Sequence, residues 1–174
     1  MQRALALASI LTLVLGGCAT YEPEPSPVPA PSLVRANLLD RDGRQVGTAA
    51  VEQVGDSLRV TIDATGIANG AHGAHLHQTG LCTPPGFESA GAHWNPTNHR
   101  HGKDNPAGLH LGDLPNLITG TDGRGTLEYT IPTASLGALL DRDGAALVVH
   151  AQPDDYRTDP SGNSGGRIAC GILG

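Results

Sequence analysis

Eight histidines stand in a chain that has one Met, one Phe and one Trp, and their spacing is its first chemical signal. In Gly70-Ala71-His72-Gly73-Ala74-His75-Leu76-His77, His75 and His77 are two residues apart. On a strand both imidazoles point to the same face. Two neutral imidazoles at one spot are a natural chelate for copper or zinc. Further along come His93, His101 and His110, then Asp113; three imidazoles and a carboxylate make a complete tetrahedral zinc set. His150 ends the apolar run Ala146-Leu147-Val148-Val149, and a strand there would let it join His75 and His77 across a sheet. The bland alternative is a set of surface histidines with nothing bound. A lone His-x-His would favour that alternative, whereas the added three histidines and the carboxylate favour metal.

Those side chains need elements that hold them. Ser57–Ala64 alternates Leu58, Val60 and Ile62 with Arg59, Thr61 and Asp63, a period of two that predicts a strand with one buried face. Leu33–Leu39 and Gln45–Val54 read as strands too, separated by the polar turn Asp40-Arg41-Asp42-Gly43, with Gly55-Asp56 as the next turn. Further strands are expected at His72–Gln78, Asn116–Thr119, Gly125–Ile131, Ala146–His150 and Ile168–Gly171, with one helical turn within Thr133–Leu140 weakened by Gly137. Short strands punctuated by Gly and Asp-Gly turns predict an all-β antiparallel sandwich or barrel. Thr79–Leu114 has no periodicity, and a loop of that length in a compact domain is usually functional. A metal would explain how it stays ordered.

The 174 residues suffice for one domain. A 3% aromatic content with 24 Gly and 13 Pro excludes long helices and an aromatic-centred core. The formal charge of −6, with no Lys/Arg run, excludes nucleic acid as a partner, because nothing displaces phosphate counterions. Residues 1–17 read as a signal peptide: a positive start at Arg3, then an apolar stretch from Ala4 to Leu15 too short to span a bilayer. Leu15-Gly16-Gly17-Cys18 resembles a bacterial lipoprotein processing site, which implies lipidation at Cys18 and export to the cell envelope, periplasm or cell surface. An ordinary cleavage nearby, leaving Cys18 a stray thiol, is the alternative. Residues 18–32 form a linker with Pro at alternate positions from Pro23 to Pro31. As polyproline II, at roughly 3.1 Å per residue, it would hold a folded unit of residues 33–174 about 40 Å from its anchor.

Five motifs in order carry a resemblance: HGAHLH, GAHWNP, HLGD, VVH followed by Asp154, and GGRIACG. Together they resemble the copper/zinc superoxide dismutase family, in its secreted bacterial lipoprotein form, over nearly all of Leu33–Gly174. The resemblance implies a Greek-key β-barrel or sandwich with long metal-binding loops and one copper and one zinc per subunit. It implies copper ligands His75, His77, His93 and His150, and zinc ligands His93, His101, His110 and Asp113, with His93 bridging. His72 then becomes a packing and hydrogen-bonding residue, and His99 a solvated one. Asp154 matches a carboxylate linking His75 to His101, and such partners fix ring orientation. Arg167 matches an arginine that attracts superoxide, a role suited to a permanently charged fork of donors. Cys82 and Cys170 match an intrasubunit disulfide. The implied reaction turns one superoxide into O₂ and the next into H₂O₂ by alternate reduction and reoxidation of copper, with a proton passing through His93. A homodimer is compatible with it, although dimer contacts differ between branches of the family. The rival readings are a metal-storing module on the same scaffold and a copper-delivery protein. Delivery favours an exposed Cys-x-Cys or Cys-x-x-Cys pair, and the chain has neither.

Overall fold

The computed structural model describes residues 32–174. The signal peptide, Cys18 and the linker up to residue 31 lie outside the described residues. The strands are β1 Leu33–Asp40, β2 Gln45–Val54, β3 Ser57–Ala64, β4 Gly70–His72, β5 Ala74–His77, β6 Leu117–Thr119, β7 Gly125–Ile131, β8 Ala145–His150 and β9 Arg167–Leu173, and one short helix, α1, spans Leu136–Leu139. Seven strands form an antiparallel sheet in the order β5-β8-β9-β1-β2-β3-β7, while β4 pairs with β6. The chain crosses from β3 by way of β4 to β5 at the opposite end of the sheet, and again from β7 to β8, the long returns of a Greek-key arrangement. Gly125 of β7 packs so closely on the Ile118 carbonyl of β6 that a Cβ would not fit. The β4–β6 ladder therefore lies against β7, and the sheet curls on itself.

The period-two pattern decides what lies inside. Leu58, Val60 and Ile62 are fully buried, as are Val51 of β2 and Leu38 of β1. Strands β5 and β8 differ, because both their faces are covered and every residue of each is buried. Ala74, Leu76, Leu147 and Val149 join the main core. The opposite face carries His75 and His77 along with Ala146 and Val148, which pack with Phe87, Ala90 and Cys170 beneath the long loop. The uninterrupted apolar run of β8 reflects this double burial.

One expected strand is corrected. His72–Gln78 is broken at Gly73 into β4 and β5, which belong to different ladders. The cause is close packing: a Cβ on Gly73 would sit 2.8 Å from the Ser164 Cβ and 3.2 Å from the His75 ring. The helical turn is present but only four residues long, capped by the Ser135 hydroxyl, which accepts from the Ala138 N–H.

Candidate metal centre

Strand register assembles the first cluster. His75 lies opposite Val148 across the β5–β8 pair. His150 is two residues beyond Val148, so it shares that face and stands diagonal to His75, within side-chain reach. The His150 N–H donates to the Gly73 carbonyl at 2.8 Å, which fixes the end of the ladder. Ring centroids are 4.8 Å apart for His75 and His150 and 5.9 Å for His77 and His150.

The long loop then lays two short stretches along the free edge of β5. His93 bridges to His77 and Asp113 to His75 in antiparallel fashion. The Trp94 N–H donates to the Leu76 carbonyl, and the Leu76 N–H to Gly112. This edge pairing brings His93 to 3.9 Å from His75 and 4.9 Å from His77, centroid to centroid. On its other side His93 Nδ1 is 2.9 Å from Asp113 Oδ1 and 3.5 Å from His110 Nδ1. Asp113 Oδ2 accepts from the backbone N–H groups of Gly102 and His110, which aims Oδ1 at the imidazoles.

Ligand-type atoms within 4.8 Å of one another fall into two buried groups, His75-His77-His93-His150 and His75-His93-His101-Asp113. His110 is just outside the second, with Nδ1 3.2 Å from Asp113 Oδ1. Among the described residues, four buried side-chain nitrogens or oxygens have no hydrogen-bond partner: His75 Nδ1, His77 Nε2, His101 Nδ1 and His150 Nε2. Each such atom costs about 1–3 kcal/mol when left unpaired, so four in one place need a common cause.

The opposite ring nitrogens supply it. His75 Nε2 donates to Asp154, His77 Nδ1 to the Gly91 carbonyl, His150 Nδ1 to the Gly165 carbonyl and His101 Nε2 to Asp154. In His75, His77 and His150 the bond fixes the tautomer and leaves a lone pair on the nitrogen that faces the cluster; in His101 it fixes the ring, whose second nitrogen gains a lone pair when a metal displaces its proton. His101 Nδ1 lies 3.0 Å from Asp113 Oδ1, at an angle wrong for a hydrogen bond, as expected for two donors converging on a third atom. The donor set fits a pair of divalent cations.

Electrostatics divide the cluster. Burial pushes His75 down to about 3 and His150 to about 4, and holds His77 well below its ordinary value, so this side is a set of neutral imidazoles. Around His101 burial also opposes charge, but the carboxylates of Asp113 and Asp154 outweigh it and hold the ring up at about 9. Burial raises both of those carboxyls, yet the histidines around them win and keep them ionised. The all-imidazole side suits a redox metal, and the carboxylate-bearing side suits zinc.

Asp154 is fully enclosed and accepts from His75 at 2.8 Å and from His101 at 3.0 Å. Asn116 clamps its backbone: the Asn116 amide donates to the Asp154 carbonyl, and the Asp154 N–H donates to Asn116 Oδ1. Gly162, at φ 64, lies against the same contact; a Cβ there would run into Asp154 Oδ1 and sit 2.6 Å from His101 Nε2. Neither Asn116 nor Gly162 stood out in the sequence, where one reads as a strand end and the other as loop glycine. His72 places both ring nitrogens against carbonyls, of His150 and Ala68, and has none free for a metal. His99 is exposed.

Beside the first group opens a cleft of about 380 Å³ lined by Ala92, His93, His150, Ser161, Gly165 and Arg167. Arg167 donates to the Phe87 and Gly91 carbonyls at 2.6 and 2.7 Å, which anchors its guanidinium at the cleft wall. Gly91 thus holds both His77 and Arg167. Cys82 and Cys170 are disulfide-bonded, with Cα atoms 5.7 Å apart.

The family described as copper/zinc superoxide dismutase matches residues 45–173. A Bacillus subtilis relative named superoxide dismutase-like protein YojM is 40% identical over 99% of this chain and 96% of its own length. The Caulobacter vibrioides protein named superoxide dismutase [Cu-Zn] is 40% identical over 76% of this chain and 80% of its own. The crystal structure of a SOD-like protein from Bacillus subtilis superposes with a TM-score of 0.75 at 42% identity, covering 80% of this chain and 97% of that one. With the barrel and the histidine cluster in place, these matches establish that the chain belongs to the copper/zinc superoxide dismutase family.

Proposed function

We propose that the chain is a superoxide dismutase, converting two superoxide ions and two protons to O₂ and H₂O₂, and that it works outside the cytoplasm, anchored by a lipid on Cys18. The observation that carries the catalytic reading is the set of tautomer-fixed, partnerless nitrogens beside a cleft walled by Arg167. His75, His77, His93 and His150 would hold copper; His93, His101, His110 and Asp113 would hold zinc. Bound copper supplies one-electron chemistry, and zinc supplies fixed charge and a rigid loop. The chain's own residues do the rest. Arg167 draws the anion in and uses donors not taken by Phe87 and Gly91 to orient it. His93, with Nδ1 directed to the Asp113 side, keeps Nε2 for the cleft side and delivers a proton from it. Asp154 holds His75 and His101 in place, so that the two groups keep one geometry through the cycle. Reconstitution with copper and zinc followed by a superoxide-decay assay with H₂O₂ quantified tests the reading: catalysis distinguishes an enzyme from a storage protein, which would bind both metals without turnover.

Arg167 is expected to act by charge and not as a ligand. Arg167→Ala should lower kcat/KM by about ten-fold, within the range of electrostatic steering effects, and Arg167→Glu should lower it further. Both variants should retain copper and zinc. Raising ionic strength should slow the parent chain, because salt screens attraction beyond about 8–10 Å. Rate measurements at fixed salt, with metal content determined on the same samples, check this; equal rates in all three forms would remove Arg167 from the mechanism.

Support for the envelope location comes from the Leu15-Gly16-Gly17-Cys18 boundary, the Pro-rich stretch after it and the disulfide, a bond that persists in oxidising compartments. Cys18→Ser should abolish fatty-acid labelling. Equal label in parent and variant would exclude an anchor at this cysteine.

A further inference from the structure

Superoxide is an anion and the chain carries a formal charge of −6, so under the dismutase reading every cation near the cleft matters. Arg167 does not act alone there. Arg41, in the turn between β1 and β2, reaches across 126 residues of sequence and donates from both Nε and Nη2 to the Arg167 backbone carbonyl, at 3.0 and 2.9 Å. Its Nη2 would lie 3.1 Å from a Cβ on Gly166, the residue between cleft-lining Gly165 and Arg167. The Arg41 guanidinium therefore sits against the strand segment that forms the cleft wall.

The turn as a whole sums to zero charge, but its ion pairs leave Arg41 out. The turn holds two carboxylates, Asp40 and Asp42, and two cations, Arg41 and Arg44. Both carboxylates are taken by Arg44, whose Nε and Nη2 lie 3.0 and 2.8 Å from them. Among the described residues Arg41 has no ion-pair partner, and its two bonds go to a neutral carbonyl. Such a bond orients the guanidinium without cancelling its charge. Arg167, by contrast, is partly buried, which works against its charge, and has the Glu88 carboxylate nearby, which offsets part of its pull on an anion.

We infer that Arg41 is a second anion-guiding residue, a fixed cation from the β1–β2 turn that steers superoxide toward the cleft and braces the backbone of Arg167 from behind. The inference rests on the dismutase reading for its substrate, but not for the charge and the contact. One unit charge about 10 Å from the path of a monovalent anion in water changes the local concentration of that anion by about two-fold. That sets the size of the effect.

The test compares the parent chain, loaded with copper and zinc, with Arg41→Lys, Arg41→Gln and Arg41→Glu, and measures metal content, kcat/KM against ionic strength, and azide affinity by absorption titration. Azide stands in as a monovalent anion whose binding needs no turnover. Arg41→Gln should lose about two-fold in kcat/KM and in azide affinity at low salt, and Arg41→Glu about four-fold. Arg41→Lys should stay near the parent, because it keeps the charge. Metal content should be unchanged in all, and the differences should close as salt rises. Equal azide affinity in the parent, Gln and Glu forms would overturn the inference. So would a loss in Arg41→Lys as large as in Arg41→Gln with no change in salt slope, since that result makes Arg41 a structural brace alone. A parent chain that binds both metals yet does not dismutate would refute the dismutase reading instead, and the azide series would still decide the role of Arg41.

Discussion

Cys82→Ser should destabilise the metal-free domain by about 4–5 kcal/mol, the chain-entropy contribution of a crosslink that closes a separation of 88 residues. Single domains have about 5–15 kcal/mol in total, so a loss of this size should lower the denaturant midpoint steeply. The comparison belongs on stripped protein, because bound metal stabilises the folded form by mass action and would mask the difference. A second consequence follows from what the crosslink holds. Cys170 is buried with Phe87, Ala90, Ala146 and Val148, and Cys82 packs on that cluster. Phe87 and Gly91 on the same loop supply the carbonyls that anchor Arg167, and Gly91 also anchors His77. The variant should therefore lose catalysis even where it remains folded, and its copper should be removed more readily by chelators. An unchanged midpoint in stripped protein would show that the loop is held by packing alone.

His93→Ala should loosen both metal sites together. His75 and His93 are common to both groups of converging donors, but His75 commits its Nε2 to Asp154, whereas His93 has one ring nitrogen on the Asp113 side. Removing even a supporting partner of a metal ligand typically costs 10–100-fold in affinity, so loss of a shared ligand should cost at least about 100-fold at each site. The controls separate the sites. His77→Ala removes a donor from the first group only and should spare zinc; His110→Ala removes a neighbour of Asp113 and should spare copper. Competition titrations against chelators of known affinity read each metal independently. Unchanged zinc affinity in His93→Ala would mean that the two groups do not share this ring.

How much of this was legible in the sequence depends on the range of each interaction. The His75–His77 pair was readable because strand periodicity alone puts both on one face, and the alternation in Ser57–Ala64 fixed that strand for the same reason. That His150 could join them was readable from its place at a strand end, but its diagonal placement beside His75 needed the β5–β8 register. The break at Gly73 was hidden, since what crowds it is Ser164, far along the chain. The link from Asp154 to two imidazoles came from family resemblance, as nothing in its local sequence marks it apart from Asp155. Asp155 itself is exposed and turns back on Thr158 and Asn163. Arg41 was invisible, because an arginine among aspartates in a turn looks like a solvated charge until its carbonyl partner is seen.

The most direct test of the account is a copper titration of the zinc-loaded chain, with superoxide decay followed at each addition. Catalysis should rise in proportion to copper and stop rising at one copper per chain, with one H₂O₂ formed for every two superoxide ions consumed. Stoichiometric copper binding without catalytic superoxide decay would contradict it.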